Sequence, residues 1–126
     1  MTEAGEFVTQ RQCLVKDCGH HGILFGGIML QWLDEAGAMY ADEATRAPKL
    51  VTRALKAMEF IHPVSVGDNV RFFADTDRRG RTSIRIRVRA FVYRAHEADF
   101  EPRLVTDACM TFVSVDEAGA PRPIQW

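Results

Sequence analysis

The sequence predicts an α+β domain in which a curved antiparallel sheet wraps around one long helix. Three observations carry this. Gly26 to Ala44 reads as a helix that is apolar round most of its circumference. The segments after Pro48 read as successive strands. Thr82 to Tyr93 alternates between apolar and mostly basic residues, which is the period of a strand with one face in a core.

In chain order, Glu6 to Val15 predicts a first strand, and Asp17 to Gly22 a turn rich in Gly and His. Gly26-Gly27 opens the helix. Its apolar residues Ile28, Met29, Leu30, Trp32, Leu33, Ala36, Met39 and Tyr40 predict burial on nearly all sides. Ala36, Gly37 and Ala38 are small, so a neighbour is expected to pack close there. Leu50 to Ile61 predicts a strand that Pro63 ends, and Val66 to Asn69 a turn. Val70 to Asp75 predicts the next strand, closed as a hairpin by Asp77-Arg78-Arg79-Gly80. Within Thr82 to Tyr93, Ile84, Ile86, Val88, Ala90 and Val92 face the core, opposite Ser83, Arg85, Arg87, Arg89 and Phe91. His96 to Arg103 is a polar loop, and Leu104 to Val115 is the last strand. One helix cannot cover both ends of such a sheet, so dimerisation through an edge strand is expected.

The 126 residues suit one domain, 1–126, large enough to bury a core. Hydrophobic residues make up 47% and charged residues 26%, which excludes wholesale disorder. The net charge of -1 gives no general attraction to nucleic acid or acidic membranes. Gln31, Asp34 and Glu35 interrupt the apolar run from Gly22 to Ala41, so no membrane span is expected. The N-terminus lacks a basic region followed by an apolar stretch, and three cysteines make an odd number. Both point to a reducing, cytoplasmic setting.

Asp34 is the most informative residue. It lies mid-helix among Leu30, Leu33, Gly37 and Ala38, where a carboxylate is costly unless bonded or paired. It follows Gly26 by about two helical turns. The first amides of a helix lack intrahelical acceptors, and glycine allows close approach of a ligand. Gly26 is therefore a candidate oxyanion donor, and Asp34 a candidate base or nucleophile. The structural alternative pairs Asp34 with an arginine. Glu35, one step round, reads as a solvated charge. His20 and His21 are either a solvated turn or, for His21, part of the site beside the helix start. The spacing Cys13-x4-Cys18-x-His20-His21 is not a common zinc pattern, and no metal is expected. Cys109 reads as core, and His62, before Pro63, as structural.

The segment His21-Gly22-Ile23-Leu24-Phe25-Gly26-Gly27, followed by Trp32-Leu33-Asp34-Glu35-Ala36-Gly37, resembles the signature of hotdog-fold acyl-CoA thioesterases of the YciA-like branch. The resemblance continues through Val51-Thr52, Met58 to Asp68, Gly80-Arg81-Thr82-Ser83, Val105 to Ala108 and Thr111 to Asp116. It implies a helix wrapped by an antiparallel sheet. It also implies dimers with two active sites at the interface, often three to a hexamer, and hydrolysis of acyl-CoA to a carboxylic acid and CoA. The family's catalytic aspartate falls at Asp34, and its carbonyl-polarising amide at or next to Gly26. Beside these, His21, Gly27 and Thr52 are the candidate substrate-binding residues, and Gly80, Arg81 and Ser83 the candidates to hold the CoA portion. CoA is part of the substrate, so no cofactor is expected. This chain departs from the branch in one respect: where its members usually carry an asparagine, three residues before the position of Gly22, it has Gly19.

CoA carries a 3'-phosphate and a pyrophosphate, so such an enzyme needs local positive charge. The turn Arg78 to Arg81 is the expected place, and Met29, Trp32, Met58 and Phe60 are expected to shape the acyl tunnel. A non-catalytic CoA-binding domain is the main competing reading, and a hotdog dehydratase a more distant one, since no histidine-and-acid motif surrounds His62 or His96.

Overall fold

Period-two alternation builds the sheet. The computed structural model describes residues 4–56 and 59–126, so Met58 lies outside the described residues. Five strands, β1 (Glu6–Gln12), β2 (Leu50–Lys56), β3 (Asn69–Arg79), β4 (Ser83–Tyr93) and β5 (Arg103–Ser114), form one sheet. Its order is β1-β3-β4-β5-β2, antiparallel at every pairing, which leaves β1 and β2 at the edges. Strand β4 has the register expected: its apolar residues are buried, and Ser83, Arg85, Arg87, Arg89 and Phe91 face the other way.

The single helix α1 (Gly26–Thr45) lies on the inner face of the sheet. Arg46, in the left-handed conformation with φ 53°, ends it and donates its amide to the carbonyl of Asp42. Met29, Trp32, Leu33, Ala36 and Ala41 share one core with Phe72, Ile84, Ile86, Val88, Met110 and Phe112. Each large side chain removed from water contributes about 1.5–3 kcal/mol. The close approach expected at Gly37 is there: a Cβ on it would lie 2.5 Å from Met110 Sδ and 3.2 Å from Ile86 Cδ1.

Five expectations need correction. The helix is not buried all round: Gly27, Gln31 and Met39 are exposed. The single chain therefore leaves part of its circumference uncovered. Strand β3 runs on through Arg79, because Arg78 and Arg79 pair with Arg85 and Ile84. The hairpin loop is thus residues 80–82, not Asp77 to Gly80. Strand β2 is described as Leu50–Lys56, and residues 59–61 are not strand, so it does not run to Ile61; β1 stops at Gln12, where a short 3-10 turn (Val15–Asp17) follows. Cys109 is half-buried on the outer face of β5, not in the core.

Candidate active site

Helix α1 and the edge strand β2 position the carboxylate. Thr52 Oγ1 donates to Asp34 Oδ1 over 2.8 Å. A register shift between Thr52 and Ala54 makes Arg53 the extra residue of a bulge beside Thr52, a device that re-aims side chains at sheet edges. Asp34 is half-buried and Thr52 exposed in the single chain. Among the described residues no cation pairs with Asp34, so the arginine-pairing alternative does not hold. Glu35 is not a solvated charge; it pairs with Arg11 of β1.

At the other end of the site, the helix start is open. Phe25 is the N-cap residue, no side chain caps it, and no acidic residue sits in the first turn. The amides of Gly26 and Gly27 therefore point out of the helix at its electropositive end. A pocket of about 230 Å³ lies against Gly26, lined by Ile23, Leu24, Met29, Phe60, His62, Pro63, Val64 and Val105. A Cβ on Gly26 would come 3.1 Å from Phe60 Cε2, so glycine keeps this pocket open. A Cβ on Gly27 would meet nothing within 4 Å.

The structure does not bring Gly26 and Asp34 together within one chain. Eight residues of α-helix separate them by about 12 Å along the axis and roughly 80° around it. To act on one thioester, the Gly26 amide must lie near 3 Å from the carbonyl oxygen, and Asp34 within reach of the carbonyl or of the water that attacks it. The edge of β2 is open, with Val51 41% exposed, and an unpaired strand edge is a template for pairing with another chain.

The remaining site residues divide. His21 is exposed, with its ring 3.9 Å from that of His20, and does not line the pocket. Thr52 holds Asp34, a positioning role that the substrate assignment did not contain. Gly80 and Ser83 line a second pocket, of about 190 Å³, with Arg78, Arg85 and Thr111; Arg81 is exposed and outside it. Trp32 is a core residue packed edge-on to Phe72, not part of a tunnel, whereas Met29 and Phe60 do line the Gly26 pocket. His62 also lines it, half-buried, with Nδ1 2.8 Å from the carbonyl of Pro63. Nothing in the sequence around His62 beyond its nearness to Pro63 separates this position from a plain strand end.

Elsewhere the polar groups neutralise one another. Arg87 grips Asp107 through two nitrogens, Arg89 lies 3.7 Å from the same carboxylate, and Arg85 lies 2.9 Å from Asp77. The Arg87 guanidinium holds the Asp107 carboxyl below the usual carboxylate range. Asp17, buried, is also held low, chiefly by the backbone amide of Leu14. Among the described residues no group of three or more His, Cys, Asp or Glu is placed to hold a metal, and no helix is long and apolar enough to cross a membrane.

A sheet closed round one helix, with a carboxylate on the helix flank and free amides at its start, defines a hotdog-fold protein with the groups for acyl transfer. The sequence profile of the Thioesterase superfamily matches residues 21–96, and the chain belongs to that family. It is 37% identical over 121 residues to an uncharacterized acyl-CoA thioester hydrolase of Haemophilus influenzae, covering 95% of this chain and 78% of that one. It is 34% identical over 124 residues to the acyl-CoA thioester hydrolase YciA of Salmonella typhimurium, covering 98% and 92%. The hexameric thioesterase y2039 of Yersinia pestis superposes with a TM-score of 0.89 at 32% identity, covering 97% of this chain and 98% of that one.

Proposed function

We propose that the protein hydrolyses acyl-CoA thioesters to a free carboxylic acid and CoA, at sites shared between two copies of the chain. The observation that carries the residue assignment is Asp34, held at 2.8 Å by the neutral hydroxyl of Thr52 and left without a cation. Such a carboxylate keeps an oxygen available to a substrate or to water. Membership of the Thioesterase superfamily supports the reaction class.

In the water route, Asp34 takes a proton as water oxygen adds to the thioester carbonyl. The developing oxyanion lies against the Gly26 amide of the second copy, where an uncapped helix start stabilises negative charge. The tetrahedral adduct then expels the CoA thiolate, and Asp34 returns the proton to its sulfur. In the alternative route, Asp34 attacks the carbonyl itself and the C–S bond breaks, releasing the CoA thiolate and leaving an acyl-aspartyl anhydride; water then opens the anhydride to the acid and Asp34, and its proton goes to the thiolate. Incorporation of one solvent oxygen-18 into Asp34 during a single turnover marks the anhydride route.

For the assembly, the proposal is that the exposed β2 edges of two copies pair about a two-fold axis perpendicular to the strands, which would bring Asp34 of each chain toward the helix start of the other in two equivalent sites. A trimer of such dimers is the assembly proposed, in keeping with the hexameric neighbour. CoA phosphates are proposed to lie at the Gly80–Ser83 loop beside Arg78, and the acyl chain in the apolar pocket against Gly26. A thiol-release assay with acyl-CoAs of graded chain length tests the reading. Stoichiometric CoA and acid are expected. Binding of CoA with no release at any chain length would replace the enzyme with a CoA-binding module.

A further inference from the structure

The turn before the catalytic helix holds a pair of thiols that the hydrolytic reaction does not use. Cys13 Sγ and Cys18 Sγ lie 3.1 Å apart. That is closer than two sulfurs in ordinary van der Waals contact, and about 1 Å longer than a disulfide bond. Both ends are fixed by backbone bonds. The Cys13 amide donates to the carbonyl of Asp68, and its carbonyl accepts from Gly67. The Cys18 amide donates to the carbonyl of Val15, and Cys18 pairs with Leu24 in an isolated bridge. The 3-10 turn Val15–Asp17 between them folds the chain so that the side chains meet. Cys13 is fully buried and Cys18 is half-buried, so a reagent in solvent meets Cys18 first.

We infer that Cys13 and Cys18 form a reversible dithiol–disulfide site, closed by hydrogen peroxide that reaches Cys18. The Cys18 thiolate attacks the peroxide O–O bond, giving a sulfenic acid on Cys18 and one water. Cys13 Sγ then attacks the Cys18 sulfur. The S–S bond forms, the S–O bond breaks, and the second water leaves with the Cys13 proton. Two thiols lose two electrons and two protons, and the peroxide is reduced to two waters. A second thiol restores the pair by exchange. Burial pushes the Cys13 thiol up to about 12, which makes it the resolving partner and not the first to react. The odd cysteine count fits a resting dithiol rather than a permanent framework: Cys109, on the outer face of β5, has no part in it. A zinc site built from Cys13, Cys18, His20 and His21 is disfavoured, because the four do not converge. The site also bears on the helix start. Asp17, inside the loop, accepts the amide hydrogen of Phe25 at the helix N-cap, so closing the pair tightens the turn from which Gly26 is hung.

Trypsin tests this directly, because Lys16 lies between the two cysteines. The full-length protein is treated with hydrogen peroxide, its remaining thiols are alkylated, and it is unfolded without reductant and digested. Peptides 12–16 and 17–46 are expected to stay joined, two hydrogens lighter than their sum, and to separate on reduction, with Cys109 alkylated. Cys109→Ser should leave the link intact. Cys13→Ala should abolish it and carry Cys18 on to sulfinic acid. Separate peptides with Cys18 over-oxidised in the unsubstituted protein would overturn the proposal. So would a link from Cys18 to Cys109, or one equivalent of added Zn²⁺ shielding both thiols from alkylation.

Discussion

Asp34 and Asp107 are both partly buried aspartates beside the sheet, and they are handled in opposite ways. Asp107 sits on the outer face of β5 and receives Arg87 through two nitrogens, with Arg89 close by. Asp34, on α1, receives one neutral hydroxyl, from Thr52. A carboxylate gripped by two guanidiniums has its charge and lone pairs committed to the fold. One oriented by a hydroxyl keeps an oxygen free and a charge uncompensated. The lesson is that partners, not burial, separate a structural acid from a candidate catalytic one. It also accounts for the arginine row of β4: Arg85, Arg87 and Arg89 all have carboxylates beside them, so the row is structural before it is anything else.

The largest effect expected from this contrast is on turnover. Asp34→Asn preserves shape and should lower kcat roughly 10²–10⁴-fold, the range for a positioned acid or base, with the unfolding midpoint little changed. A variant with near-normal turnover in the thiol-release assay would break the comparison at its centre. Thr52→Val comes next. It removes the one hydrogen bond that orients the carboxylate while keeping the β-branched shape a strand edge favours. A hydrogen bond to a charged group is worth about 1.5–3 kcal/mol, less where water competes, so kcat should fall roughly tenfold with KM held. If KM rises while kcat stays, Thr52 contacts substrate instead of holding Asp34.

How much of this was legible in the sequence depends on which residues carry the signal. Strand β4 and the core it supplies were legible, because strict alternation with one apolar face admits one register. Asp34 was legible as an acid among apolar helical neighbours. Its partner Thr52 was not derivable from spacing: the contact depends on a bulge at Arg53 that no local pattern announces. The ends of β3 were misread because Asp77-Arg78-Arg79-Gly80 has turn composition. The strand continues there because β4 offers Ile84 and Arg85 as partners, and pairing outweighs polarity on a solvated face. The helix was expected to be buried nearly all round, but one five-stranded sheet covers only one side of it, and Gln31 and Met39 stay exposed. Gly26 and Asp34 were read as one site. Helical rise alone, about 12 Å over eight residues, keeps them apart within one chain.

A smaller effect concerns CoA recognition. Arg78 lines the pocket beside Gly80 and Ser83, whereas Arg81 is exposed and outside its lining. Arg78→Ala should raise KM for acyl-CoA roughly three- to tenfold with kcat nearly constant, since a phosphate contact far from the thioester is present equally in ground and transition states. The rise should shrink at high salt. An acyl pantetheine, lacking the nucleotide, should not register the change. Arg81→Ala serves as the comparison. If Arg81 carries the KM effect and Arg78 does not, the loop turns in the assembled protein and the pocket assignment fails.

The smallest effect returns to Asp107, where the prediction concerns stability alone. Asp107→Asn should leave kcat and KM unchanged and cost about 1 kcal/mol near neutral pH, the scale of a surface-exposed ion pair. The sign of its pH dependence is fixed by the direction of the shift. Arg87 holds the folded-state carboxyl below its ordinary value, so folding favours the ionised form. The stabilisation is complete above the unfolded carboxyl's pKa, close to pH 4, and is lost as pH falls from there through the lower folded value. Unfolding free energy measured in urea from pH 6 downward should therefore drop less steeply below pH 4 in Asp107→Asn than in the unsubstituted protein, and the two curves should converge in strong acid. Parallel curves across that range would mean that Arg87 and Arg89 do not stabilise the ionised form. The contrast between a committed and an uncommitted aspartate would then rest on Asp34 alone.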